Sequence, residues 1–230
     1  VIYFAFFGLI FAEGKPFDPS TPYWLTWYLM SMVWWSMSIP ILSFAGRKRT
    51  LPIIAALCAV AVLWGFCGVS GYWLSIGRTL TFFPFFAAGW FLRRDGLPEK
   101  INPPQKAAAA ALAIIFAAVC IAFSEFLDIQ CFYGAKSYAQ PGQSLTARVF
   151  QLLSGGVWIW LLLCFAPKIR LPILTDAGKY SMAVYLGHGI IVRTIKKLIP
   201  GGASGDIWVL AGAGLAILLT AALGNQWVHG

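Results

Sequence analysis

Long apolar runs alternate with short polar or basic stretches along the whole chain. A helix that crosses a bilayer needs about 20 mostly apolar residues, because lipid offers backbone groups no hydrogen-bond partner. The period-two alternation of a membrane β-barrel is absent. We therefore predict an all-α fold, a polytopic transmembrane helix bundle that forms one membrane-embedded domain over residues 1–230. About eight hydrophobic segments are predicted, at 1–12, 23–45, 53–69, 79–92, 107–123, 145–166, 180–198 and 207–224.

Details of the pattern give further expectations. The first segment is too short to span a membrane and begins with Val1 instead of Met, so we expect an N-terminally truncated chain. The fourth segment reaches a spanning length only if it borrows residues from Trp73 onward. We expect the long polar stretch 124–144 to be a surface loop, and Gly155 with Gly156 to be a kink or a point of close helix packing.

Composition supports a membrane location. Apolar residues make up 60% of the chain, charged residues only 11%, and the mean hydropathy is +0.76; soluble domains are about one-quarter charged. The net charge of +9 comes from basic residues in short loops, which we interpret as topology signals and not as a nucleic-acid surface. The loops 46–52, 93–106 and 167–179 hold ten of the 17 Lys and Arg residues, so we expect them to face the cytoplasm.

Cysteine and histidine usage predicts no metal. Four of the five cysteines lie within apolar runs, where a thiol packs as a small hydrophobic group, and no Cys/His spacing of a metal site occurs. Only two histidines are present, and His229 near the C-terminus is expected to be interfacial.

His188 falls inside an apolar segment, where a titratable side chain is costly without a partner or a role. Ser181, Tyr185 and His188 follow at i, i+4 and i+7, which places them on one helix face. One interpretation is a site in which the imidazole moves a proton while Tyr185 or Ser181 orients it or the substrate. The other is an ordinary interhelical hydrogen bond.

Two arginines lie at the starts of apolar runs, Arg78 before the fourth and Arg148 four residues into the sixth. A guanidinium can bind a phosphate or a carboxylate through two parallel hydrogen bonds, so both are candidate substrate-binding residues. The alternative is that either side chain extends to a lipid headgroup.

Three stretches taken together resemble the acyltransferase-3 family, most of all its fucose 4-O-acetylase-like branch. Their order and spacing cover most of the chain. They are Thr21–Leu29 (TPYWLTWYL), Gly77–Trp90 (GRTLTFFPFFAAGW) and Gly178–His188 (GKYSMAVYLGH).

The resemblance implies a multi-pass protein of the inner (plasma) membrane that moves an acetyl or other short acyl group from acyl-CoA to a hydroxyl of a sugar or glycan. It makes acyl-CoA (acetyl-CoA) the co-substrate, with the lipid bilayer and a carbohydrate acceptor as partners. His188 then matches the family's Tyr-Leu-x-His pattern, and Arg78 its Arg-x-x-x-Phe-Phe-Pro-Phe-Phe element. The family's early helices, which carry a basic residue and a catalytic His, have no counterpart in this sequence.

Two other functions fit the residues. A transporter or flippase component would use broken helices, suggested by Pro84 and the Gly155-Gly156 pair, and an embedded His along a substrate path. In a non-catalytic membrane scaffold, the Ser181, Tyr185 and His188 stripe would serve only packing.

Overall fold

A computed structural model of the chain divides into two compact units, Val1–Ala166 and Pro167–Gly230. In the first unit the structure describes residues 20–22, 26–68, 72–96, 101–123 and 129–166. In the second it describes residues 178, 179, 181, 182, 184, 185, 187 and 214. The organisation of 1–230 as a single domain stays a prediction.

Five α-helices lie in the first unit and the described residues of the second unit are also helical, with no β-strand among the described residues, which agrees with the predicted all-α class. The first, seventh and eighth predicted segments lie wholly or largely outside the described residues, so the count of eight stays a prediction. The helices are α1 (Thr26–Ser43), α2 (Thr50–Leu63), α3 (Ile76–Asp95), α4 (Pro103–Ala122) and α5 (Leu145–Phe165). Short 3-10 helices cover Arg47–Arg49, Trp64–Phe66, Trp73–Ser75 and Ile129–Tyr133.

Three helical stretches are long and apolar enough to cross a membrane: Arg47–Phe66, Pro103–Ala122 and Leu145–Phe165. Several large apolar side chains on these helices are exposed, including those of Leu63, Ile114 and Leu162. Exposed apolar surface of this extent is costly in water and is expected where the solvent is lipid.

The first unit is built around α3, which packs against both α1 and α2. A small core lies between these helices, with Leu42, Ala87 and Phe91 buried in it. Next to it, Trp35 of α1 is 4% exposed and stacks on Phe86 of α3 at 5.3 Å between ring centroids. Trp35 is therefore a core residue, although tryptophans of membrane helices often lie at the bilayer interface.

The end of α3 is joined to the turn between α1 and α2 by Arg94. Its guanidinium donates to the carbonyl of Ala45 and to Thr50 Oγ1, and it pairs with Asp95 at 2.7 Å. The residue that follows the last helical residue of α3 is Gly96, whose φ of 88° lies in a region that favours glycine.

The helices α4 and α5 pack against each other, and both begin with clear sequence signals. Asn102 and Gln105 form a reciprocal capping box ahead of α4, with Pro103 at its first position. Ser144 caps α5, its Oγ accepting from the N–H of Ala147 at 3.1 Å.

The segment 129–144 is more than a surface loop, and in this respect the prediction was wrong. It folds back between helix ends, with Ala135 only 2% exposed. The Tyr138 hydroxyl donates to the carbonyl of Val62 at 2.8 Å, and the ring lies so close to Gly65 that it leaves no room for a Cβ there. Burial raises the pKa of Tyr138, and the charge of Arg148 acts in the opposite direction.

The two adjacent glycines of α5 differ in their surroundings. A Cβ on Gly155 would lie 2.8 Å from Phe85 Cζ of α3, whereas a Cβ on Gly156 would meet nothing within 4 Å. Both lie within a continuous helix, Leu145–Phe165. Of the two sequence-based alternatives, close packing therefore holds at Gly155.

We predict opposite effects of alanine at these two positions. Gly156→Ala should raise the free energy of unfolding by about 0.5–1 kcal/mol, because Ala is the better helix former. Gly155→Ala should lower the thermal midpoint, because overpacking typically costs about 1–3 kcal/mol and exceeds that gain. Thermal unfolding of the two detergent-purified variants measures this, and equal midpoints would contradict the α3–α5 contact.

Candidate functional site

Arg78 is the third residue of α3, so the helix begins earlier than the apolar run alone indicated. The expectation that residues from Trp73 onward extend this segment is met in part, by a 3-10 turn and then the helix. The half-buried Arg78 guanidinium lies 5.0 Å from the Trp27 ring centroid and 5.3 Å from that of Tyr72. Two such cation–π contacts restrict where the positive charge can lie.

The turn before Arg78 has an unusual backbone. Leu74 (φ 47°) and Ser75 (φ 55°) both adopt left-handed conformations that non-glycine residues rarely take. Each such residue costs roughly 1–3 kcal/mol and persists only where surrounding contacts hold it. The Leu74 N–H donates to the carbonyl of Ser20, and Ser75 is 2% exposed. Backbone strain of this kind is typical of functional sites, and here it lies directly beside Arg78.

The residue after Arg78 fixes α3 to α1. Thr79 Oγ1 lies 2.8 Å from Ser31 Oγ, and the Thr79 carbonyl accepts from the Trp35 indole at 3.0 Å. Ser31 and Thr79 are both buried. Polar contacts between helices are favoured in an apolar surrounding, so they set the register of the two helices next to Arg78.

Arg148 is 1% exposed, which makes it one of the most buried side chains in the described part of the chain. Its guanidinium donates to Thr81 Oγ1 of α3, to the Gly134 carbonyl at 3.1 Å and to the Lys136 carbonyl at 2.8 Å. The alternative in which Arg148 extends to a lipid headgroup is therefore wrong: the side chain turns inward and joins α5, α3 and the 129–144 segment. Its substrate-binding role stays a prediction.

Polar residues continue from Arg148 along the same face of α5. Gln151 Nε2 donates to the Phe132 carbonyl at 2.9 Å, and Ser154 Oγ donates to the Gln151 carbonyl. Both are buried, and Gln151 Oε1 has no hydrogen-bond partner among the described residues. Sequence reasoning missed Thr81, Gln151 and Ser154, although the i, i+3, i+6 polar spacing from Arg148 in an apolar helix could have revealed the last two.

The two arginines are brought to the same end of α3. Arg78 lies three residues before Thr81, which accepts a hydrogen bond from Arg148, so α3 carries one arginine and contacts the other within a single helical turn. Positive charge concentrated in an apolar environment attracts an anion such as a carboxylate or a phosphate. Arg78 is half-buried, whereas Arg148 is only 1% exposed.

Two of the three residues of the predicted polar stripe are described, both in the second unit. Ser181 and Tyr185 are helical, four residues apart and so on one face, with Ser181 exposed and Tyr185 half-buried. His188 lies outside the described residues. The catalytic roles of Tyr185 and His188 and the substrate-binding role of Ser181 stay predictions.

The fold and these helices define a multi-helix membrane protein, and comparison with known proteins gives its class. The sequence model of the acyltransferase-3 family, described as an acyltransferase domain, matches residues 1–225. The chain belongs to this family, and it is a membrane protein of the acyltransferase class. No curated protein and no solved structure matched the chain.

We predict that Arg148 controls the exposure of the 129–144 segment to protease. Arg148→Met removes a charged hydrogen bond to the Lys136 carbonyl, which is worth about 1.5–3 kcal/mol. Cleavage by trypsin after Lys136 should therefore accelerate roughly ten- to hundredfold, if it follows the population of the opened segment. Arg93→Met, at the opposite end of α3, is the matched control and should leave the rate unchanged; equal rates in the two variants would contradict this role.

Proposed function

We propose that the protein moves an acetyl or other short acyl group from acyl-CoA to a hydroxyl of a sugar or glycan at the inner (plasma) membrane. The observation that carries this proposal is the acyltransferase-3 match over residues 1–225. It is supported by a positioned cation, Arg78, within the matched Arg-x-x-x-Phe-Phe-Pro-Phe-Phe element of a helical membrane protein.

In the proposed reaction a base removes the proton of the acceptor hydroxyl while its oxygen attacks the thioester carbonyl carbon. The new C–O bond forms, the C–S bond of acyl-CoA breaks, and the thiolate of CoA leaves and takes up a proton. We assign to His188 the proton transfer, and to Tyr185 and Ser181 its orientation or that of the acceptor.

Arg78 is the proposed anchor for an anionic group of a substrate. Its contacts with Trp27 and Tyr72 restrict where the positive charge can lie, because the faces of aromatic rings attract a cation. The strained turn at Leu74 and Ser75 fixes the start of α3 and so the point from which Arg78 projects. Arg148 supports this end of α3 through its hydrogen bond to Thr81 Oγ1.

The activity test uses membranes that carry the full-length protein, with radiolabelled acetyl-CoA and a mixture of cell-envelope glycans. We predict that Arg78→Ala lowers transfer roughly 10- to 100-fold, since a hydrogen bond to a charged group contributes about 1.5–3 kcal/mol and about 1.4 kcal/mol is a factor of ten. His188→Ala should lower transfer at least as strongly. Arg93→Lys, at the other end of α3, should retain activity.

Two outcomes would contradict the proposal. Undiminished transfer by His188→Ala in a normally inserted protein would reject a role of His188 in the reaction. Flux of a glycan across the vesicle membrane without consumption of acetyl-CoA would favour the transporter or flippase alternative.

A further inference from the structure

The helices α4 and α5 lie close together at one end and leave a groove at the other. Two small residues of α4, Ala109 and Ala113, are 0% and 3% exposed, and small side chains let helices approach closely. At this end Lys106 Nζ also lies 5.8 Å from the Phe165 ring centroid. One turn beyond Ala113 the interface residue is Phe116, a much larger side chain.

Phe116 meets Phe150 of α5 at 5.2 Å between ring centroids. At this end of the α4–α5 interface the contact is made by these rings, whereas at the other end it is made by alanines. A groove of about 420 Å³ lies beside the rings. That volume is within the range of about 300–1,000 Å³ that is typical of small-molecule sites. Seven of its eight lining residues are apolar: Ile115, Phe116, Val119, Leu145, Val149, Phe150 and Leu153, with Thr146 as the eighth.

The position of the groove indicates what can fill it. Both helices that form it are long and apolar enough to cross a membrane, and a bilayer that they span would place the groove at the depth of hydrocarbon. From Leu145 to Leu153 it extends about 12 Å along α5, at about 1.5 Å per residue. One leaflet provides about 15 Å of hydrocarbon, half of the usual core thickness. The groove therefore matches the length of a single lipid chain within its own leaflet.

We propose that this groove, between Ile115–Val119 of α4 and Leu145–Leu153 of α5, is a binding site for one hydrocarbon chain of a membrane phospholipid. An unfilled groove forfeits dispersion contacts along both walls, and water is excluded because only Thr146 offers it a partner. Within a bilayer, packing and not hydrophobicity separates a bound chain from a free one. A concave site that contacts the chain from two helices provides that packing, whereas the convex outer face of α5 does not.

The groove also adjoins the segment that Arg148 holds. Phe150 lies 6.5 Å from Phe132 between ring centroids, and Phe132 is the residue whose carbonyl Gln151 binds. A chain in the groove would therefore support the side of Phe150 that faces away from this segment. The proposal is independent of the proposed reaction.

The test is photolabelling of the full-length protein in vesicles of phosphatidylethanolamine and phosphatidylglycerol that contain a phospholipid with a diazirine in its acyl chain. Mass spectrometry then locates the labelled residues. In the wild-type protein, we expect groove residues to be labelled several-fold more than equally exposed apolar residues elsewhere on α5.

Two leucines of α5 provide a matched pair. Leu153 lines the groove and is 57% exposed, and Leu162 is 68% exposed and is not among the lining residues. Leu153→Trp should fill the groove and lower its labelling several-fold, whereas Leu162→Trp should leave that labelling unchanged. Since a tryptophan can impair folding, the wild-type map decides by itself. Uniform labelling along α5, or a groove protected from label by another part of the chain or by a second copy, would overturn the proposal.

Discussion

The guanidinium of Arg148 lies in the interior of the helix bundle, where a charge is stable only if its donors find acceptors. The acceptors come from two separate parts of the chain, a hydroxyl on α3 and two carbonyls of the 129–144 segment, and the arginine itself belongs to a third part, α5. None of these parts can move away without leaving a buried polar group unsatisfied, at a cost of about 1–3 kcal/mol or more for a charged one. One side chain thus holds together elements that are far apart in sequence.

This constraint determines how α3 can present Arg78. Three residues after Arg78, Thr81 accepts a hydrogen bond from Arg148. Directly after Arg78, Thr79 is hydrogen-bonded to Ser31 and Trp35 of α1. In front of Arg78, the left-handed turn at Leu74 and Ser75 stores strain that only a rigid surrounding can maintain. Arg78 is therefore a cation near the start of a helix whose position is fixed by three sets of contacts, as its proposed recognition of an anionic group requires.

Much of this architecture follows from the sequence, and the failures have physical causes. Apolar runs of spanning length predicted α2, α4 and α5 well, since hydrophobicity and capping residues such as Ser144 act locally. The position of the 129–144 segment could not be predicted in this way, because it depends on hydrogen bonds from Arg148, which belongs to another element. The sequence left Arg148 as a candidate substrate-binding residue or as a side chain that extends to a lipid headgroup, and its inward hydrogen bonds were not predicted. The difference lies in acceptors on other elements, which periodicity does not reveal.

The candidate functional residues of the two units show the same division. The Arg78 element and the stripe of Ser181, Tyr185 and His188 were recognisable as motifs, since each is contiguous in sequence. The aromatic partners of Arg78 were not recognised: Trp27 precedes it by 51 residues, and Tyr72 lies across a strained turn. The sequence did not distinguish Gly155 from Gly156, because the role of a glycine depends on which residue packs against it, here Phe85.

The most direct measurement of the central interaction is a double-mutant cycle of Arg148→Met and Thr81→Val, with the free energy of unfolding determined for the detergent-purified wild-type protein, both single variants and the double variant. If the buried guanidinium joins α5 to α3 through this hydroxyl, the coupling energy should lie between about 0.5 and 3 kcal/mol. Strictly additive effects, with a coupling energy near zero, would contradict the account.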